Sequence, residues 1–279
     1  MQSYPSAVSP ASLACASESH LTTQYVSALN EWKAHAVSKF PNEACGFILK
    51  DGSFLPMENL SPEPRKNFII NETEEVYERG IVAFLHSHTP DDPDENGRVQ
   101  PVALGPSKSD MEGQISCDYP WGISVCDGEN TTTPLWFGDQ LEPRPLLGRV
   151  FVHGIWDCYS LIRDWHRTEA GIIIPEYPRE FSWWGSKEEG YPGEDMYEAN
   201  FKDAGFERVH RDRGPLPGDV FICRLKSTVL NHAGVYIGDD HILHHAAGAL
   251  SMRSPASRWH SKLDFLVRHK DMPEPEDAA

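Results

Sequence analysis

The sequence predicts an α+β chain of two domains, on three observations. Its 279 residues suit roughly two domains on a prior of about 150 residues each. Stretches with apolar groups at helical spacing are interleaved with short apolar runs bounded by turn residues. The texture breaks at LEPRPLLGRVF (141–151), where two prolines and a glycine separate periodic segments, so a linker is expected near residues 140–150. The expected division is a polar leader over 1–20, a first domain over 21–145, a second over 146–270 and an acidic tail over 271–279.

In the first half, TTQYVSALNEWKAHAVSKF (22–40) reads as a helix ended by Pro41. ACGFIL (44–49) and the turn Lys50-Asp51-Gly52-Ser53 predict a hairpin, FII (68–70) a further strand and EEVYERG a short helix. IVAFLHSH is the next strand, and the polar, Pro- and Gly-rich TPDDPDENGRVQPVALGP a long loop. SKSDMEGQI predicts a helix capped by Ser107 or Ser109, and WGISVCDG another strand. The second half opens with a helix over WDCYSLIRDWHR and an aromatic stretch, YPREFSWWG, in which Trp183 and Trp184 suit a core. LPGDVFICRL, HAGVYIGD and HILHHA read as adjacent antiparallel strands.

With 39% hydrophobic and 24% charged residues the composition is that of a globular protein, and no apolar run approaches the roughly 20 residues that span a bilayer. The N-terminal stretch lacks the basic and apolar regions of a secretory signal, so a soluble chain is expected. A net charge of −17 argues against phosphate-backbone binding, which needs clustered Lys and Arg. Six cysteines, Cys15, Cys45, Cys117, Cys126, Cys158 and Cys223, form no CxxC pair and read as free thiols in a reducing cytoplasm.

Two constellations carry chemistry. At the end of IVAFL, strand alternation sends His86 and His88 to one face and Ser87 to the other, so two imidazoles converge. A zinc hydrolase site needs a third donor and a base, and Asp110 in GPSKSDM and Glu43 in PNEACGF can supply them. This Glu, His-x-His, Ser-x-x-Asp order resembles the JAMM (MPN-type) metallopeptidases over roughly residues 22–140. The resemblance implies an MPN/JAMM-like α/β domain with Zn²⁺ held by His86, His88 and Asp110. It also implies Glu43 as general base and Ser107 steadying the oxyanion. Eighteen residues separate His88 from Ser107, a longer spacer than that family's. DPDENG (92–97) opens like an EF-hand loop, but its twelfth position is Ala103, so it reads as a solvated acidic loop.

The second constellation centres on Cys158, at the start of a predicted helix where the dipole favours thiolate. His232 opens the strand HAGVYIGD and His244 lies on the next run, giving a Cys-His-His candidate. DCYSLIRDW, LPGDVF and HAGVYIGDDHILHH resemble the NlpC/P60 cysteine peptidases over roughly residues 148–268, which implies a papain-like α+β domain. By that resemblance Cys158 is the nucleophile, His232 the base and His244 its orienting partner; strand alternation then turns His245 away. DCYS stands where many relatives have DCSG.

A JAMM-like domain followed by an NlpC/P60-like one resembles the tail-tip assembly proteins of lambda-like tailed phages. That resemblance implies other tail-tip proteins and host peptidoglycan or a peptide substrate as partners, while charge and hydropathy imply no nucleic acid and no membrane span. The implied location is the host cytoplasm during assembly and then the virion tail tip. The rival expectation is a structural assembly factor whose peptidase folds serve as docking surfaces.

Overall fold

A computed structural model describes residues 19–91, 95, 102, 104–185, 192–210 and 212–273. Outside the described residues lie the expected leader up to residue 18 with Cys15, the DPDENG motif save Glu95, Ala103, and the tail beyond residue 273. The fold is mixed α+β, and the chain divides into two compact units between Glu142 and Pro143.

In the first unit the expected single helix is two, α1 (His20–Gln24) and α2 (Val26–Lys39), separated by Tyr25 at φ −109° and ψ 39°. The break buries Leu21 and lets Thr22 accept a hydrogen bond from Trp136 Nε1 at 2.9 Å. The hairpin forms as β1 (Cys45–Leu49) and β2 (Phe54–Met57), turning through Gly52 at φ 84°, a left-handed conformation that glycine adopts without strain. α3 (Glu74–Arg79) leads into β3 (Ile81–His88); α4 (Lys108–Ile115) leads into β4 (Trp121–Val125), and β5 (Leu135–Phe137) closes the sheet.

The predicted strand FII (68–70) is absent: this stretch is loop. Its backbone pairs within its own loop, Ile69 N–H donating to Asn59 Oδ1 and Leu60 N–H to Ile69 O at 2.7 Å. Its apolar content serves packing instead, for Phe68 lies 4.9 Å from the His86 ring and 5.2 Å from Phe84.

Strand order is β2-β1-β3-β4-β5, with β3 and β4 parallel and the other pairs antiparallel. Alternation along β3 divides its labour. Ala83 and Leu85 join Leu29, Trp32, Ile48 and Trp136 in the core beneath α2. The intervening Phe84 and His86 pack with Phe68 and Trp121 on the opposite face. Ser87, on the α2 side, accepts from Ala44 N–H at 2.9 Å, and Ser124 accepts from Trp32 Nε1 at 3.0 Å, so both buried hydroxyls are satisfied.

In the second unit α5 (Cys158–Trp165) runs into a short π-helical turn, His166–Ala170, and α6 (Met196–Asn200) follows. Among the described residues its six strands are β6 (Phe206–Arg208), β7 (Val220–Cys223), β8 (His232–Gly238), β9 (His241–His244), β10 (Met252–Pro255) and β11 (Leu263–His269). They pair antiparallel in the order β10-β9-β8-β7-β11-β6. The three strands read from the sequence are indeed neighbours; β6 and β10 carry patterns too short or too polar to have been read, whereas β11, LDFLVRH, is a seven-residue, largely apolar stretch that lies outside the expected strands. Val220, Ile222, Ala233 and Val235 pack with Ile162 of α5, while Phe221, Cys223 and Ile242 pack with Trp259 on the other face. Trp183 is buried and Trp184 half-buried.

α4 lies close on its sheet because Gly113 faces Trp121: a Cβ at Gly113 would stand 2.4 Å from the Trp121 ring. That ring is itself held by Phe84, Phe68 and Phe137. Gly113→Ala should therefore lower stability by about 1–3 kcal/mol through overpacking, despite alanine's better helix propensity. The check is a fall in the urea midpoint without a change in m-value.

Candidate functional site

The first centre sits where β3 ends against the start of α4. His86 Nε2 is 3.1 Å from Asp110 Oδ1, His88 Nε2 is 3.3 Å from Asp110 Oδ2, and the two Nε2 atoms are 3.3 Å apart. One donor atom from each of the three residues falls within 4.8 Å of the others. His86 and Asp110 are buried and His88 half-buried, so the cluster is closed on the protein side.

Local chemistry explains Asp110. It is the third residue of α4, and Ser107 caps that helix: Ser107 Oγ accepts from Asp110 N–H at 3.1 Å while Asp110 Oδ2 accepts from Ser107 N–H at 2.8 Å. This reciprocal box satisfies two of the four open N–H groups of a helix start. The Ser107 hydroxyl also donates to Asp110 Oδ2 at 2.8 Å, so its proton is directed at the carboxylate. Despite burial, His86 first and then His88 hold the Asp110 carboxyl far below the usual range, by charge and by hydrogen bonding. Burial pushes the His86 imidazole below its ordinary value, opposed by the neighbouring Asp110 carboxylate.

Glu43 precedes β1 and is buried. Its backbone is pinned from both sides, its N–H donating to Pro64 O at 2.6 Å and its carbonyl accepting from Asn59 Nδ2 at 2.9 Å. Burial raises its carboxyl to about 7, opposed by the nearby His88 and reinforced by Asp110. Among the donors sequence reasoning missed is Asn59, whose amide ties Glu43, Pro64 and Asn67 and accepts from Ser61 and Ile69. A lone Asn in a Pro-rich loop offers no periodic signal for that role.

The donors fit a zinc ion. Two imidazole nitrogens and a carboxylate converge, and the geometry leaves the His88 imidazole partly open to solvent, as a site needs for a water or substrate ligand.

The second centre lies at the start of α5. Asp157 caps the helix, accepting from Ser160 N–H at 3.0 Å, so Cys158 is the first helical residue. Asp157 is buried, and Arg179, equally buried, donates to its Oδ2 from Nη2 at 2.7 Å and from Nε at 3.0 Å. Arg179 reaches on to Glu176 at 2.6 Å, and Glu176 to Arg163 at 2.6 Å, so each charge of this row has an opposite neighbour. The pair holds Asp157 well below the usual carboxylate range against the cost of burial.

The Cys158 thiol is pushed up to about 11, first by burial and then by the Asp157 charge, while hydrogen bonds from Tyr197 and the Ala233 backbone N–H oppose that rise. The resting thiol is therefore neutral, where the helix start alone would favour thiolate. His232 is adjacent to Ala233, at the start of β8, and burial lowers it to about 3. Among the described residues no hydrogen bond joins Cys158 to His232 and the buried His232 Nε2 has no hydrogen-bond partner; the thiol is 3.3 Å from Tyr197 Oη. His244 lies edge-on to His232, with ring centroids 5.5 Å apart, and its Nε2 meets Ser254 Oγ at 2.9 Å. Trp259 stacks on His232 at 5.3 Å and edges His244 at 4.7 Å, fixing both rings. His245 is turned to Phe151, 5.2 Å away.

Sequence reasoning missed Arg179 and Tyr197. Arg179 lay inside an aromatic stretch, and Tyr197 sits on a five-residue helix with no buried apolar stripe to announce it.

Neutral buried imidazoles carry a stability consequence. His232 is lowered to about 3 and His166 and His245 to about 4, all mainly by burial. Their folded values lie below the unfolded one of about 6.5, so the stability they contribute is present above pH 6.5 and is lost as pH falls toward 4 and 3. Urea unfolding of the second unit should thus give a smaller unfolding free energy at pH 5 than at pH 7, by on the order of 1 kcal/mol per imidazole.

Residues 148–269 match the NlpC/P60 family. The chain is 31% identical over 250 residues to the tail tip assembly protein K of Escherichia phage N15, covering 86% of this chain and 93% of that protein. It is 35% identical over 191 residues to the protein of the same name in Escherichia phage lambda, covering 68% of this chain and 82% of that protein. Among solved structures, it is similar to NlpC1 from Trichomonas vaginalis, at 16% identity over 44% of this chain and 39% of that one, with a TM-score of 0.30. Together with the NlpC/P60 match over its second unit, the identity along most of its length places this chain in the family of tail tip assembly protein K.

Proposed function

We propose that the chain is a tail-tip assembly protein with two hydrolytic sites, a cysteine peptidase in the second unit and a zinc-dependent peptidase or isopeptidase in the first. The observation that carries the reading is the placement of Cys158 as the first residue of a buried, Asp157-capped helix, hydrogen-bonded at Ala233 beside His232.

In the second unit the Cys158 thiol gives its proton to His232 as sulfur attacks an amide carbonyl carbon. The imidazolium then protonates the departing amine, and water cleaves the thioester with His232 again taking the proton. His244, fixed by Ser254 and Trp259, orients His232. Peptidoglycan stem peptides, with their D,L-amide bonds, are the substrates this reading assigns to the site.

In the first unit His86, His88 and Asp110 would hold zinc. Bound there, zinc supplies a polarising Lewis acid and an acidified water. Glu43, whose carboxyl lies near neutrality, is matched to accept a proton and return it. Ser107 holds Asp110 in line.

The partners of this reading are other tail-tip proteins and the host wall, with assembly in the host cytoplasm and residence in the virion tail tip. Among the described residues no helix is long and apolar enough to cross a membrane.

Purified full-length protein should bind zinc at about one ion per chain, and His88→Ala should abolish that binding. It should release stem-peptide fragments from purified peptidoglycan, detected by mass spectrometry, with wild type and His88→Ala active and Cys158→Ala inactive. Chelation should leave this release intact, because the thiol route needs no metal. A folded, zinc-loaded protein that releases nothing would favour a docking role for the second unit.

A further inference from the structure

Tyr197 has no role in the reading above, yet its hydroxyl is the hydrogen-bonding neighbour of the nucleophile's sulfur, at 3.3 Å. Its ring is clamped between two others, 5.9 Å from Trp183 and 6.4 Å from Tyr159, in edge-on arrangements. The helix that carries it, α6, is capped by Asp195, whose side chain accepts from Glu198 N–H at 3.2 Å. The phenol is thus held in place from its ring and from its backbone.

Among the described residues, Tyr197 Oη has no hydrogen-bond partner besides Cys158 Sγ. A buried phenol ordinarily finds an oxygen partner, because a neutral thiol is a weak acceptor. A thiolate is a strong one, since hydrogen bonds to ionised acceptors are roughly twice as strong as neutral ones. The contact therefore gains most once sulfur is charged. Burial and the nearby Cys158 keep the phenol protonated well above its ordinary range, so it remains a donor throughout.

We propose that the Tyr197 hydroxyl is a catalytic donor to the Cys158 sulfur, stabilising the thiolate that forms when the thiol proton passes to His232. The step balances: the S–H bond breaks, an N–H bond forms on the imidazole, no electron is gained or lost, and Tyr197 keeps its own proton. Tyr197 O–H and Ala233 N–H then both point at the charged sulfur. When sulfur bonds to the carbonyl carbon, its charge is spent and the phenol's hold relaxes, so the contact favours the charged state over the resting thiol and the thioester alike. Asp157, the cap that places Cys158, opposes the thiolate by its charge, and Tyr197 offsets part of that opposition.

This inference rests on Cys158 being the nucleophile, and a test on the sulfur itself needs no peptide substrate. The full-length protein and Tyr197→Phe are labelled with iodoacetamide across pH 6–11, and the Cys158 peptide is quantified by mass spectrometry apart from the other cysteines. Phenylalanine keeps the ring against Trp183 and Tyr159 and removes only the hydroxyl. The expected result is a labelling curve displaced to higher pH in Tyr197→Phe, with labelling about tenfold slower at any pH below the midpoint. Stem-peptide turnover should fall in kcat with KM little changed.

Superimposed labelling curves would overturn the proposal. So would faster labelling in Tyr197→Phe together with a lower urea midpoint, since that marks a residue that only packs. A displaced curve in a protein that cleaves no stem peptide would uphold Tyr197's hold on the sulfur and refute the peptidase reading instead.

Discussion

Each unit of this protein buries the start of a helix against a sheet, and that constraint organises both centres. A helix start presents N–H groups with no intrahelical partner, and burial without a cap would leave them unpaired at considerable cost. In the first unit Ser107 and Asp110 satisfy them reciprocally, and the same hydrogen bonds turn the Asp110 carboxylate toward His86 and His88. In the second, Asp157 caps α5 and so presents Cys158 as its first residue. Capping and chemistry are performed by the same or adjacent side chains in both places.

The two caps differ in what must neutralise them. Asp110 meets two imidazoles, so that a carboxylate and two ring nitrogens are gathered around one point. Asp157 is buried beside the thiol, so an unpaired charge there would be costly and would oppose thiolate formation. Arg179 answers it, backed by Glu176 and Arg163 in an alternating row. Even so the thiol stays high, which makes the resting second site a neutral thiol beside a neutral imidazole rather than a preformed ion pair. Proton transfer must then be drawn by the substrate and by donors aimed at the sulfur, and here the structure supplies Ala233 and Tyr197.

β3 shows how a strand's period of two carries function. Leu85 and Ala83 complete the core under α2, while Phe84 and His86 face an aromatic wall of Phe68 and Trp121. Gly113 lets α4 approach Trp121 closely, and Asp110 rides one turn earlier on that helix. The fit of a backbone against an indole is therefore part of what sets the carboxylate's position.

Much of this was legible in the sequence because local rules generate it. Alternation sends His86 and His88 to one side, Ser107 stands among the expected caps of the helix that carries Asp110, and Cys158 falls at a predicted helix start. The order of β7, β8 and β9 follows from short runs parted by turns. What the sequence left open depends on partners distant along the chain. FII has a strand's composition, but its backbone pairs with Asn59 and its Phe68 packs on His86, contacts set by residues distant along the chain. Arg179 and Tyr197 reach Asp157 and Cys158 from 22 and 39 residues away, a separation that leaves no periodic trace. The sequence by itself determined which residue types stand at helix starts and strand ends, since hydrogen-bond spacing and side-chain alternation are local. Only the tertiary structure decided their protonation and their partners, because burial and the charges that answer it exist only once the chain has packed.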